Sequence, residues 1–287
     1  MNSSLVQQQP SPALVPDDGK LPASGRPSWS SGWQGRQLRE RLKASAIHLG
    51  LSVFIALMVL ALVYGFWYQD ALAGVAGVGT VLVLLLAVDV CLGPIMTLLV
   101  FDCRKKSLPM DLAVIGLLQL GALAYGLYTV EVGRPHYLVF VKDRFEVVSH
   151  ADLRPDDLAA AEGNASARTH WWGPSWVAAR SPDSEERRQE VLMESVLGGR
   201  DLQHFPQWYE PLSSQQAVIR KKVLPLSALR RLNPGGDALI DGALKTLRRT
   251  EAQVGYLPVK GEAGDASVLI DRQDGRVLGM LALHPWS

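Results

Sequence analysis

The sequence predicts a membrane α-helical protein: three transmembrane helices, then a C-terminal α+β soluble domain with antiparallel strands. Three observations carry that prediction. Of the 287 residues, 48% are hydrophobic and only 20% charged, and the mean hydropathy of +0.09 lies above that of an ordinary soluble chain. The apolar excess is concentrated between Ala44 and Val130. Beyond residue 134 the pattern changes to short β-rich runs and amphipathic segments separated by Gly and Pro. A net charge of +1 sets up no field for nucleic acid.

Residues 1–36 are rich in Pro, Ser, Gln and Gly and read as a disordered cytoplasmic tail, too polar to offset the entropy of ordering. Residues 37–131 read as a three-helix transmembrane region, with spans at about 46–68, 78–101 and 111–130. The first apolar run, Ala44 to Tyr68, is free of charge and has one histidine, His48. The second is interrupted only by Asp89, and the third, Leu112 to Val130, carries no charge. Aromatic residues stand where interfaces should fall: Phe66, Trp67 and Tyr68 at the end of the first run, Tyr125 and Tyr128 near the end of the third. Ala71-Leu72-Ala73 resembles a signal-peptide cleavage site, but the apolar run is too long for one and some forty residues precede it. An uncleaved anchor is therefore expected. The two cysteines, Cys91 and Cys103, would lie roughly 18 Å apart on one helix, too far for a disulfide.

Orientation follows from the basic residues at the span ends. Arg36, Arg39, Arg41 and Lys43 precede the first span, and Arg104, Lys105 and Lys106 lie between the second and third. The segment Gln69 to Gly77 has none, and after the third span the first is the lone Arg134. This predicts a multi-pass protein of the bacterial inner membrane, N-terminus cytoplasmic, with residues 134–287 as a periplasmic α+β domain. Within it, HYLVFVKDRFEVV supplies two strands, and Ser181-Pro182 opens a helix stopped by Gly198-Gly199. Asn233-Pro234 opens another, with Leu239, Ile240, Ala243, Leu244 and Leu247 on one face. Asp274-Gly275 signals a two-residue hairpin turn. Strands at both ends predict one domain, closed by pairing its first and last strands.

Asp89 is the most informative residue. It lies roughly 18 Å from Phe101 along the helix, near the bilayer midplane. A carboxylate there must be protonated, paired or turned toward other helices. By depth its partner within the chain is Gln119, with His48 nearer the cytoplasmic face. Gly93-Pro94 removes the bond to the Val90 carbonyl and marks a hinge. Three roles fit Asp89: a hydrogen bond holding the three helices together, a contact with a partner's membrane helix, or a proton or ion relay. The small-residue pairs Ala61/Gly65 and Ala122/Gly126 allow close helix approach. An intramembrane aspartyl protease is disfavoured, because no Gly-x-Gly-Asp precedes a membrane-embedded aspartate.

Outside the membrane, His150-Ala151-Asp152 reads as a cap on a strand-to-helix turn rather than as a metal or general-base site. The other histidines have no metal-ligand spacing, and no P-loop, Gly-x-Ser-x-Gly, CxxC or dinucleotide motif occurs. Neither an enzyme nor a cofactor, metal or small-molecule substrate is predicted. Trp171, Trp172, Trp176 and Trp208 fall in the irregular centre of the domain, as packing residues or as partner-contact aromatics.

Taken together, Arg41-Leu42-Lys43-Ala44 with Ile47-His48-Leu49, VDVCLGPIMTLLVF, and DLAVIGLLQLGALAYGLYTV running into GRPHYLVFVKDRFEVVSHADL resemble the TfpX/TfpZ family of type IV pilin accessory proteins. GYLPV and the closing His284-Pro285-Trp286 also fit, and the likeness covers roughly residues 40–287. It implies an inner-membrane protein that assists or modulates assembly of a cognate pilin, with that pilin, other assembly components and membrane lipid as partners. It supplies no catalytic residues. Two other classes stay open on the residues alone: a membrane-anchored periplasmic hydrolase using His150 and Asp152, and a sensor or scaffold using the N-terminal tail.

Overall fold

The computed structural model describes residues 30–286, so most of the expected tail lies outside the described residues. Among the described residues, three helices are long and apolar enough to cross a membrane: Gly35–Trp67, Val78–Val100 and Leu108–Val132. The first is α1 (Ser30–Leu62) finished by a π-helical turn, Val63–Trp67. A short helix α2 (Leu72–Val75) leads into the second, which is α3 (Val78–Ala87), a π turn at Val88–Leu92, and α4 (Gly93–Val100). The third is α5 (Leu108–Val132), with Pro in its first turn, where a missing N–H costs nothing.

The bundle is tightest toward the soluble domain, where Val59, Val63, Trp67, Val78, Leu82 and Val130 are buried together. Tyr68 closes this end by donating its hydroxyl to the Val130 carbonyl at 3.0 Å. Of the small-residue pairs, Gly126 is used: a Cβ there would sit 2.3 Å from Leu85, whereas one at Gly65 would meet nothing within 4 Å. Both cysteines are free and exposed.

The C-terminal part is a mixed sheet with helices on both faces. Its strands are β1 (Pro135–Val141), β2 (Arg144–Ser149), β3 (Ser175–Ala179), β4 (Tyr209–Pro211), β5 (Leu224–Pro225), β6 (Val254–Lys260), β7 (Asp265–Asp271) and β8 (Val277–Leu281). They run in the order β4-β3-β1-β2-β6-β7-β8, with β5 on the free part of β6. The expected antiparallel pairing holds for most of the sheet, but β1–β3 and β2–β6 are parallel. The two terminal strand groups do join, through β2 and β6 rather than through the first and last strands, because β8 pairs only with β7. Every residue of β1 is buried, as a central strand covered on both faces requires.

Side chains alternate across the sheet. Leu138, Phe140, Leu257, Val259, Val268 and Ile270 point to one face. On the other, Tyr137, Val139 and Val177 pack at one end, and Tyr256 and Leu269 at the other. The helices are α6 (Pro155–Ala160), α7 (Glu185–Gly198), α8 (Gln216–Lys222), α9 (Leu226–Leu232) and α10 (Asp237–Leu247).

Three local expectations shift. Ser184, not Ser181, caps α7, accepting the Arg187 N–H. In α10 Ile240 is buried, but Leu239 is exposed, one position round from the packed stripe. The β7–β8 connection is longer than two residues: the Asp271 N–H bonds the Arg276 carbonyl around a loop in which Gly275 takes φ +79°.

One contribution to the domain comes from before the second span. Leu72 and Val75, on α2, are buried in the face formed by Phe140, Leu257 and Val268. The Val75 carbonyl accepts the Ala263 N–H at 3.0 Å, in the turn between β6 and β7. The turn closes so tightly on α2 that a Cβ at Gly261 would lie 2.1 Å from the Val75 side chain.

Candidate functional site: a polar pocket among the spanning helices

The π turn at Val88–Leu92 places Asp89 on the inside of the bundle, where it is buried. In a π turn each N–H reaches five residues back. The donor due to the Asp89 carbonyl is therefore residue 94, which is proline and has none. Gln119 fills the gap from α5, donating its Nε2 to that carbonyl at 3.2 Å. The close approach depends on Gly93, since a Cβ there would stand 2.0 Å from Gln119 Nε2. Gly93 and Pro94 follow directly on the π turn, and the Asp89 carbonyl receives its donor from Gln119 on α5.

Gln119 meets Asp89 as expected, but through the main chain. The carboxyl itself is left over: its Oδ1 is buried with no hydrogen-bond partner. It borders a cavity of about 170 Å³ whose walls include His48, Ser52, Gly116, Gln119 and Leu123, contributed by α1 and α5. That volume is nearly six times a water molecule's share of the liquid, about 30 Å³. His48 lines the cavity while its Nδ1 lies 2.6 Å from Thr97 Oγ1. Ser45 donates to the Pro94 carbonyl at 2.9 Å. Ser45, Ser52 and Thr97 are members of the polar cluster that the sequence reading passed over. The signal was present, because Ser45, His48 and Ser52 recur at helical spacing on one side of α1.

The basic residues stand at the ends of the spans. Lys43 pairs with Glu40 at 3.2 Å and Lys105 with Asp111 at 2.9 Å, both solvent-exposed bridges. Arg36, Arg39, Arg104 and Lys106 are exposed, while Arg41 is half-buried.

Of the four tryptophans in the irregular centre of the domain, Trp176 packs edge-on against Phe145 at 5.3 Å and Trp208 lies 5.9 Å from the Arg180 guanidinium. Trp171 and Trp172 reach the helices instead, Trp171 edge-on to Trp67 at 5.5 Å and Trp172 tilted against Phe66 at 4.7 Å. Asp152 accepts the Ser149 N–H and hydroxyl at 2.7 and 2.8 Å, the cap expected of it. Its neighbour His150 lies 5.6 Å from the ring of buried His136. Burial holds His136 below the ordinary histidine range, and the nearby Arg134 charge adds to this, against the Arg134 carbonyl and Glu131. Among the described residues no group of three His, Cys, Asp or Glu is arranged to hold a metal.

A family model described as fimbrial assembly protein FimB matches residues 36–68, essentially the first span. The chain is 28% identical over 234 residues to a fimbrial assembly protein, serogroup I, of Dichelobacter nodosus, covering 80% of this chain and 90% of the relative. With a fimbrial assembly protein of serogroups C1 and C2 of the same organism it is 31% identical over 121 residues, which are 42% of this chain and 92% of that relative. No solved structure matches.

Proposed function

The chain belongs to the fimbrial assembly protein family, and from that premise we propose that it is a type IV pilin accessory protein of the bacterial inner membrane. It assists or modulates assembly of a cognate pilin through protein–protein contacts, as the TfpX/TfpZ resemblance implies. Its N-terminus is cytoplasmic and its α+β domain periplasmic, a reading supported by seven basic residues at two span ends and none between Gln69 and Gly77. It works without catalysis.

The observation that favours recognition inside the membrane is the unpartnered Asp89 Oδ1 beside a cavity walled by α1 and α5. A bundle that needed Asp89 only for its own cohesion would satisfy that oxygen internally. An N–H or O–H donor on the pilin's membrane helix completes it.

The test is Asp89→Leu in the native host. Piliation should fall while the protein's abundance stays level. Normal piliation, or loss of the protein itself, would assign Asp89 to packing alone. Crosslinking from Leu120, on the cavity wall, should capture the pilin.

A further inference from the structure

Trp171 and Trp172 are 53% and 60% exposed, although the loop that carries them is firmly held. Two anchors fix it. The Gly173 N–H donates to the Phe66 carbonyl at 2.8 Å, in the last turn of the first spanning helix. From the other side comes Arg134, two residues beyond the end of the third, itself only 3% exposed. Its guanidinium donates to the carbonyls of His170 and Trp171 at 3.2 and 3.3 Å. It also lies 5.7 Å from the rings of both Trp67 and Trp171. The loop is thus bolted to the ends of two membrane helices at once.

Those two ends define where hydrocarbon gives way to headgroups. The first helix runs without charge from Ala44 to its end at Trp67, and the third stays uncharged to Val130. A loop whose main chain is bonded to both ends lies at that boundary by construction. The apolar surface extends onto the first helix, since Phe66, 43% exposed, lies with its ring 4.7 Å from that of Trp172. Indole suits this layer, with a large apolar body and one N–H for a headgroup or water. Because the backbone carrying these rings is already ordered, contact with lipid adds little entropic cost.

We propose that the Trp171–Trp172 loop is a lipid-binding site that seats one edge of the α+β domain in the headgroup–acyl boundary. The proposal needs the helices to span but does not depend on the pilin reading. The domain is then fixed to the membrane surface at three points: the third helix, α2 and this loop.

The test uses the full chain in lipid vesicles, with Cys91→Ala and Cys103→Ala and a single environment-sensitive fluorophore at Trp172→Cys. Emission should shift to the blue and be quenched by lipid carrying a nitroxide near the glycerol. The same probe at Asp143→Cys, at the far end of β1, should do neither. Water-like, unquenched emission at position 172 overturns the proposal. A second measurement covers a cysteine variant that fails to fold: with brominated lipid, the quenched share of native tryptophan emission should fall in Trp171→Phe/Trp172→Phe. An unchanged share likewise overturns it.

Discussion

At the residue scale the decisive arrangement is Gln119 supplying a donor that Pro94 cannot. Gln119→Leu leaves the Asp89 carbonyl unsatisfied in an apolar surrounding. Interhelical hydrogen bonds of this kind contribute about 0.5–2 kcal/mol, so the midpoint of unfolding in detergent should drop by that equivalent, with Gln119→Glu recovering little. A different residue sets a pH response. Burial first, then Arg134, depresses His136, while His150 acts in the same sense and Glu131 opposes. His204 is also depressed, again by burial first. A histidine whose folded pKa lies below its unfolded value of about 6.5 binds its proton more readily when unfolded, so stability is full above that value and falls as pH drops below it. Thermal midpoints measured from pH 7.5 down to 5.5 should therefore decline, and less steeply in His136→Gln. A flat profile would count against both histidines. Asp89 was legible in the sequence because a charge within an apolar run has few bland explanations. That Gln119 would meet its carbonyl and not its carboxyl was not legible, because the π turn moves the missing donor by one residue.

At the element scale the three spanning helices could be read directly, since length and hydropathy alone define them. The strands β1, β2, β7 and β8 were legible as β-rich runs. The parallel pairings β1–β3 and β2–β6 were not, because they join segments far apart in sequence and no local pattern records such a register. The two- and three-residue strands β5 and β4 are defined only by their neighbours. Least legible of all was α2, four residues in what read as a plain connection between spans. Its burial makes a sharp prediction. Leu72→Ala should destabilise the α+β domain by about 2–5 kcal/mol, the usual range for truncating a buried leucine. Hydrogen exchange should quicken in β6 and β7, far along the chain but adjacent in space. An effect confined to the spanning helices would show that α2 is not part of this core.

At the scale of the whole molecule, the sequence divides the chain at residue 134, where composition changes. The packing does not respect that line. A fragment of residues 134–287 lacks Leu72 and Val75 and leaves open the face they cover. Burying each such side chain fully stabilises by about 1.5–3 kcal/mol. The fragment should unfold at lower denaturant than the same strands in the full chain, and a version with residues 69–77 linked to its N-terminus should recover part of the loss. Equal midpoints for fragment and full chain would mean that α2 adds nothing.

The buried position of α2 also bears on how the protein is made. The ribosome delivers Leu72 and Val75 long before the strands that enclose them. Two spanning helices separate them from those strands, so they share a compartment only if both of these cross or neither does. A chain in which just one of the two crossed would leave these residues across the bilayer from the strands that bury them. Its α+β domain would remain incomplete and exposed to proteolysis. The short helix between the first two crossings therefore makes completion of the α+β core depend on how the two helices after it insert.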